Sequence, residues 1–270
     1  MARKLFCELN PLAYRIFTHK MRLARHAKNF FGKARFARKR GAILPIVVYS
    51  HKSLIRRKLG DVDMSLQEGK AANLALAAPK VNGIVIQPGE TFSFWHLVGA
   101  CTASKGYQDG LLIAKGQPDR GIGGGMCQFT NLIHWLVLHS PLVVTEHHHH
   151  DGIDMFPDFG RVVPFGLGTS IVYNYLDYRF YNPTASAFQL VTYVADAYLV
   201  GELRTSTRLP YSYSIKEDES DFVKIDNTYY RNNTVSKRTI DKHTGNTIHT
   251  EIIKKSHARV LYELPITPSV

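Results

Sequence analysis

A cysteine lies between a glycine-rich turn and a long apolar stretch in residues 121–141, GIGGGMCQFTNLIHWLVLHSP. The apolar run predicts a buried helix from Cys127 to about His139, since the residue before Pro141 avoids helical backbone angles. The first N–H groups of a helix have no partner within it and favour a nearby negative charge. We therefore expect Cys127 to have a lowered pKa and to act as a nucleophile.

Three consecutive glycines, Gly123, Gly124 and Gly125, precede the cysteine. Either they only turn the chain, or they bring substrate close to a backbone that can adopt positive φ. In the second case, free N–H groups of the turn and of the helix would bind the oxyanion that forms during acyl transfer. Gln128 is expected to add a side-chain donor there or to cap the first turn of the helix.

Four consecutive histidines follow the predicted helix, in the segment LVVTEHHHH at residues 142–150. As a strand, this segment would place His148 and His150 on one face and the other two histidines on the opposite face. A helix–turn–strand unit returns the strand towards the helix start. We therefore expect one of these pairs to face Cys127.

Two kinds of chemistry fit these residues. In cysteine-dependent acyl transfer, an imidazole takes the proton of Cys127 and is oriented by Glu146 or Asp151. Alternatively, Cys127, His148 and His150 would form a three-ligand zinc site with an open fourth position, as in a zinc-dependent hydrolase. The first interpretation needs no cofactor, and it is the one that the sequence favours.

Secondary-structure elements must hold these residues in place, and the chain is long enough to build them. It has 270 residues, of which 44% are hydrophobic, and this is enough for a substantial core. Its three cysteines are too few and too scattered for a disulfide framework, so a reducing compartment is expected. The net charge is +12, and residues 1–40 alone hold twelve Lys and Arg and one acid. The basicity therefore belongs to one segment.

This basic segment has apolar residues at helical intervals, among them Leu12, Ile16, Leu23, Phe30 and Phe31. A basic amphipathic helix either lies on an anionic membrane surface or packs on its own domain. Nucleic acid is not expected as a partner, because no nucleic-acid module appears elsewhere. No stretch approaches a membrane span, and a basic leader of this length is too long for a signal peptide. We expect a cytoplasmic protein, peripheral at the inner face of the membrane.

The predicted architecture is α+β, with a mixed core that contains the glycine-turn, helix and strand unit, and with a β-rich C-terminal part. Three parts are predicted: the basic segment 1–40, a core domain 41–205 and a β-rich extension 206–270. Within the core, a helix is expected over 66–79, ending at Pro79. A strand is expected at PIVVYS, residues 45–50, and two short strands around a Pro88-Gly89 turn are expected over 83–94. Most of the chain after Ser170 is predicted to be β, with turns at Ala195-Asp196 and Thr244-Gly245-Asn246.

The strings PGETFSFW, GACTASKGYQDG and GGGMCQFTNLIHWLVLHSPLVVTEHHHH resemble the VanW family over roughly residues 65–205. The family takes its name from a protein of glycopeptide-resistance clusters. The resemblance implies a connection with peptidoglycan, and some secreted members are implicated as L,D-transpeptidases. In these, the cysteine of GGGxCQ attacks a stem-peptide carbonyl and forms an acyl-enzyme. At the matching positions of this chain stand Cys127, the three glycines before it and Gln128.

The resemblance also bears on the histidines. The family pattern Glu-Arg-His-x-His falls on residues 146–150, with His147 in place of the arginine, which points to Glu146, His148 and His150. The aspartate of a downstream Gly-x-Asp-Ala-Thr pattern is replaced by Ser170. The implied partners are peptidoglycan stem peptides or their lipid-linked precursors. A non-catalytic accessory protein that binds such a precursor or supports glycopeptide resistance is the alternative.

Overall fold

Helices and strands are both well represented in the computed structural model of the protein, which describes residues 10–57, 63–114, 117–149, 152–158 and 160–264. The helices are α1 (Pro11–Phe31), α2 (Ser65–Val81), α3 (Phe94–Val98) and α4 (Met126–Leu138). The strands are β1 (Arg35–Phe36), β2 (Ile46–Leu54), β3 (Ile84–Ile86), β4 (Glu90–Ser93), β5 (Asp109–Ala114), β6 (Gln117–Ile122), β7 (Val143–Glu146), β8 (Ile153–Asp154), β9 (Arg179–Tyr181), β10 (Phe188–Ala195), β11 (Tyr198–Thr205), β12 (Tyr211–Ile225), β13 (Thr228–Asp241) and β14 (Thr247–Val260). The predicted α+β class is confirmed.

In the described part of the chain, the strands form three four-stranded sheets and one separate hairpin, β5–β6. The first sheet has the order β1-β4-β9-β7, with β1 parallel to β4 and the other pairs antiparallel. The second, β2-β11-β10-β3, is antiparallel throughout. The third, β12-β13-β14-β8, contains the three long C-terminal strands. Since β1 lies within residues 1–40, that segment shares a sheet with the core, and the three-part division stays a prediction.

Helix α4 joins two hydrophobic clusters. Phe129, Ile133 and Leu136 belong to the main core, whereas Trp135 and Leu138 pack in a second cluster with Leu167, which lies between β8 and β9, and Val235 of β13. A helix that is apolar on all sides must be buried on all sides. Because α4 meets both clusters, the position of Cys127 at its start is fixed by packing along the whole helix.

The strand predicted over 142–150 is shorter than expected and does not include the histidines. The prediction that alternation along a strand places them on two faces was therefore wrong in its premise. β7 ends at Glu146, and His147–His149 follow in irregular backbone. The physical reason is the partner strand, because β9 begins at Arg179, which pairs with Glu146 as the last residue of the ladder. Without a partner beyond that point, the chain leaves the sheet.

Other predicted elements are placed with smaller differences. The two short strands expected over 83–94 are present as β3 and β4 on either side of the Pro88-Gly89 turn, where Gly89 has a φ of +75°. They join different sheets. The strand expected over 45–50 is present as β2, which continues to Leu54. The turn after Ala195 is confirmed by the positive φ of Asp196, +51°. Helix α2 continues past Pro79 to Val81, so the predicted end at the proline was wrong by two residues. The segment from Ser170 to Tyr178 is mostly irregular rather than β.

Helix α1 packs against the body through a polar face. Arg25 donates two hydrogen bonds to the carboxylate of Glu146, at 2.7 and 2.6 Å, and a third to the carbonyl of Tyr175 at 2.8 Å. The guanidinium of Arg22 lies 5.2 Å from the ring centre of Tyr173. The ring of half-buried Phe17 also meets Tyr175 edge to face, with centres 6.5 Å apart. The prediction of a basic helix is confirmed, and arginines provide the hydrogen bonds from α1 to Glu146 and Tyr175.

The Arg25–Glu146 pair is predicted to stabilise the fold strongly. The two side chains are 12% and 14% exposed, so Arg25→Ala would leave a desolvated carboxylate without its principal cation. We expect the free energy of unfolding in urea to fall by about 3 kcal/mol.

The matched control is Arg56→Ala, because Arg56 makes the same paired contact with Glu68, at 40% and 61% exposure. An ion pair in solvent contributes little, so a much smaller loss is expected. Equal losses for the two variants would contradict the role given to Arg25.

Candidate functional site

Cys127 is the second residue of α4, directly after a glycine-built helix start. Gly125 caps the helix with a positive φ of +105°, and Met126 is the first helical residue. Among the described cysteines, Cys101 and Cys127 are both free and partly buried; Cys7 lies outside the described residues. The predicted position of the thiol at the helix start is thus observed.

The predicted lowering of the Cys127 pKa is wrong for this structure. Burial raises the pKa of the thiol, and backbone hydrogen bonds from Ile171 and from Cys127 itself act in the opposite direction without reversing the shift. The free-energy cost of desolvating the charged thiolate exceeds the stabilisation that the N–H groups at the helix start give it. The resting state is therefore a protonated thiol, and a nucleophilic role requires a base.

The three glycines are buried, and they allow close packing of backbone against backbone. A side chain at Gly123 would come within 2.5 Å of Cys101 Cβ, and one at Gly125 within 2.5 Å of Lys70 Cγ. At Gly124 it would overlap the carbonyl group of Gly110. The expected open turn facing a ligand is thus a packed turn, and substrate binding by these residues stays a prediction.

Two residues of α2 that sequence reasoning missed hold this turn. Asn73 is fully buried, and its amide donates hydrogen bonds to the carbonyls of Gln108 and Gly124, each at 2.9 Å. Lys70 lies against Gly125, and burial, together with Arg57 and Arg56, lowers its pKa to about 8. Both lie on one face of the predicted helix, three residues apart. That spacing was the available signal, but it does not reveal what they contact.

Gln128 connects the start of α4 to strand β2. Its amide donates to Ser53 Oγ at 2.8 Å and to the carbonyl of Leu54 at 2.9 Å. The alternative that it caps its own helix is therefore wrong. The donor that was expected to face substrate is engaged within the protein, so a role in substrate binding stays a prediction.

The segment 168–171 lies beside Cys127 and connects it to the histidines. The N–H of Thr169 donates to Asn131 Oδ1 at 2.6 Å, and its hydroxyl lies within hydrogen-bond distance of both Asn131 Oδ1, at 2.8 Å, and the carbonyl of Cys127, at 3.2 Å. One residue further on, Ser170 donates its N–H to the carbonyl of His148 at 2.7 Å. The start of α4 and the chain beyond β7 therefore meet at this segment, whereas the expectation that one histidine pair faces Cys127 stays a prediction.

The histidine side chains point in two directions. The rings of His147 and His149 are 3.9 Å apart between centres, and His147 lies 4.1 Å from His134 of α4. His148 points instead to Glu146, with Nε2 3.1 Å from Oε1. Alternate residues thus separate as predicted even without a strand. His150 and Asp151 lie outside the described residues, so their roles stay predictions.

Burial also determines the charge of this cluster. Desolvation, followed by the neighbouring His149, lowers the pKa of His147 to about 3. Desolvation and His147 lower the pKa of His134 well below its usual value. These imidazoles are neutral at pH 7. The hydrogen bonds of the described side chains at 147 and 148 go to Gly168 and Glu146 rather than to the thiol of Cys127.

Glu146 is held in its charged form. Burial alone would raise its pKa, but the hydrogen bonds from Arg25, the Asp177 backbone and His148 outweigh burial and lower it. Arg179 adds a second cation, with Nε 3.5 Å from Oε2. Glu146 contacts His148 as well, although its main contact is with α1, and its role in orienting a catalytic imidazole stays a prediction.

A cavity of about 560 Å³ lies next to the histidines, between α4, β7 and the C-terminal sheet. His147 and His149 form part of its wall, with Lys237 and Glu251 among the residues contributed by the sheet. Cys127 does not line it. The described residues contain no group of three or more His, Cys, Asp or Glu side chains arranged to hold a metal ion. The zinc alternative requires His150, so it stays a prediction.

The chain belongs to the VanW family, an assignment that agrees with the glycine turn, the helix-start cysteine and the histidine segment. The family model described as VanW like protein matches residues 69–204. The resemblance stated from the sequence is thereby confirmed. In the part of the chain that the structure describes, no helix is long and apolar enough to cross a membrane.

Two relatives are similar to this chain. Vancomycin B-type resistance protein VanW of Enterococcus faecalis is 30% identical over 222 residues, which cover 82% of this chain and 80% of the relative. Uncharacterized protein YoaR of Bacillus subtilis is 31% identical over 121 residues, 44% of this chain and 37% of that protein. No solved structure matches the chain significantly.

Close packing at the glycine turn predicts a large effect of Gly124→Ala. The new methyl group would overlap the backbone of Gly110, which cannot move aside as a flexible side chain could. We expect the free energy of unfolding to fall by about 3 kcal/mol.

Gly168→Ala is the control, since Gly168 is exposed and nothing lies within 4 Å of the added Cβ. Its free energy of unfolding should change by less than about 0.5 kcal/mol. If Gly124→Ala were equally neutral, the turn would be open, as the sequence first suggested.

The raised pKa of Cys127 predicts slow alkylation at neutral pH. A raised pKa leaves less thiolate at pH 7, so the rate should increase with pH to a midpoint above that of a short cysteine peptide under the same conditions. Peptide mapping after iodoacetamide treatment would measure the rate at each cysteine. Cys127→Ser is the control that identifies the labelled peptide. A midpoint below that of the free peptide would restore the prediction made from the helix start.

Proposed function

We propose that this protein catalyses cysteine-dependent acyl transfer on peptidoglycan stem peptides or their lipid-linked precursors, in the manner of an L,D-transpeptidase, with Cys127 as the nucleophile. The observation that carries the proposal is the setting of the thiol. Cys127 lies at the start of α4 with a hydrogen bond from the Ile171 backbone, and the adjacent Ser170 binds the carbonyl of His148. The name of the Enterococcus faecalis relative, a vancomycin resistance protein, supports the cell wall as the setting.

The reaction would proceed through a thioester. The sulfur of Cys127 attacks the carbonyl carbon of a stem-peptide bond, and the thiol proton passes to a base. Collapse of the tetrahedral intermediate breaks the C–N bond, and the leaving amine takes up that proton. A second amine then attacks the thioester, forms a new amide and restores the thiol, whereas attack by water gives hydrolysis.

His148 is the base that we propose. It is paired with the ionised Glu146, which would hold the ring in one orientation. The oxyanion would be bound by backbone N–H groups at the start of α4, which have no partners within the helix. Substrate entry must bring the imidazole and the thiol together, since the bond at His148 Nε2 goes to Glu146. His150 remains the other proposed imidazole.

The location belongs to the same proposal. A cytoplasmic enzyme meets peptidoglycan only as nucleotide-linked or lipid-linked precursors, so we propose lipid-linked stems at the inner face of the membrane as substrates. The positive charge of α1 supports this location, because a strongly basic helix is attracted to anionic lipid. No cofactor is part of the proposed reaction.

Incubation with defined muropeptides tests the proposal. Intact-mass analysis of the wild-type protein should show a covalent adduct equal to the stem peptide minus its leaving amine, together with exchanged or hydrolysed product. Cys127→Ala should form neither. Cys101→Ser is the matched control, since it alters the other free and partly buried described cysteine, and it should keep both. His148→Gln should slow adduct formation about a hundredfold, which is typical for loss of a general base.

Three outcomes would overturn acyl transfer at Cys127. Adduct formation that persists in Cys127→Ala would place the chemistry elsewhere. Tight muropeptide binding, equal in wild type and Cys127→Ser and without product, would identify an accessory binding protein. Stoichiometric zinc in untagged protein, lost in Cys127→Ala, would favour the hydrolase alternative.

A further inference from the structure

Helix α1 presents an apolar stripe to solvent on the side away from its docking face. The stripe consists of Leu12, Ile16, Leu23 and Phe30. With steps of four, seven and seven residues, these positions fall within about 40° around the helix axis. Leu23 is 69% exposed and Phe30 is 83% exposed, and Phe31 at the end of the helix is similarly open. A continuous exposed stripe of this kind marks an interaction surface rather than scattered surface residues.

The docking of α1 explains why the stripe faces outwards. Arg22, Arg25 and Asn29 lie on the opposite side, where they contact Tyr173, Glu146 and Arg179. The buried positions of the helix are Ala13 and Thr18, which are small. Because the arginines satisfy buried carboxylate and carbonyl groups, the helix cannot rotate to bury its leucines without leaving those groups unpaired.

The charge around the stripe has a single sign. Arg15 lies on one flank and Lys20 on the other, and both are exposed. No Asp or Glu occurs between Glu8 and Asp61, so nothing in this stretch of sequence neutralises the helix. An apolar stripe bordered by cations matches the interface of an anionic bilayer, where acyl chains take the side chains and headgroups take the charge.

We propose that α1 is a peripheral membrane-binding helix that inserts this stripe into the interface of an anionic bilayer. A second copy of the chain fits less well, since it would bring two strongly basic helices together. Nucleic acid would meet the cations but leave the apolar stripe in water. The proposal does not depend on the reaction proposed at Cys127. It adds that Arg25, on the docking side of the same helix, connects the membrane-bound element to Glu146 and His148.

Vesicle co-sedimentation of the full chain tests the proposal. The protein should bind vesicles of phosphatidylcholine mixed with phosphatidylglycerol, should bind those of phosphatidylcholine alone weakly, and should dissociate from the mixed vesicles at high salt. The double variant Leu23→Asp with Phe30→Asp should lose at least about tenfold in partitioning, because two exposed side chains no longer enter the interface. Its urea unfolding curve should match that of the wild type, since both positions are exposed.

The matched control changes two exposed apolar residues far from α1 in the sequence, Val162→Asp with Ile252→Asp, at 67% and 59% exposure. This variant carries the same charge change, and it should bind like the wild type. Equal loss in both variants, or equal binding to neutral and anionic vesicles, would overturn the proposal. Two further results would overturn the proposal if no vesicle binding were seen. One is a dimer in sedimentation velocity that depends on the stripe. The other is RNA binding that persists in the Leu23→Asp, Phe30→Asp double variant.

Discussion

Two desolvated carboxylates, Glu146 and Asp177, impose the constraint on which the arrangement around α1 depends. Charges away from water must be paired, and here Arg25 and Arg179 provide the cations. Arg25 comes from α1, so the helix docks through arginine and keeps its leucines in solvent. Glu146 is thereby fixed at the end of β7, where it also accepts a hydrogen bond from the Asp177 backbone and contacts His148. One charge network thus positions both a candidate site residue and a candidate membrane-facing helix.

Close backbone packing is the second organising feature, and it gives the glycines a different role from the one that their flexibility suggests. Gly124 lies against Gly110, and the side-chain amide of Asn73 donates a hydrogen bond to the carbonyl of Gly124, so the turn before α4 is rigid. A rigid helix start provides fixed N–H groups, which is what electrostatic stabilisation of an oxyanion requires. The same packing desolvates Cys127 and keeps it protonated. Close packing at this site therefore fixes the helix start and also raises the pKa of the Cys127 thiol.

Much of the framework was predictable because local signals agreed with tertiary packing. The helix start before Cys127, the turn at Asp196 and the basic helix in the first forty residues are all present. The signals failed where a partner decided the outcome. β-Branched residues predicted a strand that continued through the histidines, but β9 offers no pairing beyond Arg179. Pro79 predicted a helix end, yet α2 completes its last turn after it.

The sequence by itself determined the class of fold, the position of Cys127 at a helix start and the amphipathic character of α1, because each follows from local spacing and residue type. It also determined the family, through the resemblance of its motifs. Only the tertiary structure decided which face of α1 is covered, what Gln128 binds and the sign of the Cys127 pKa shift. These depend on burial and on partners that are distant along the chain. Desolvation is a property of the surroundings, and no local pattern of residues records it.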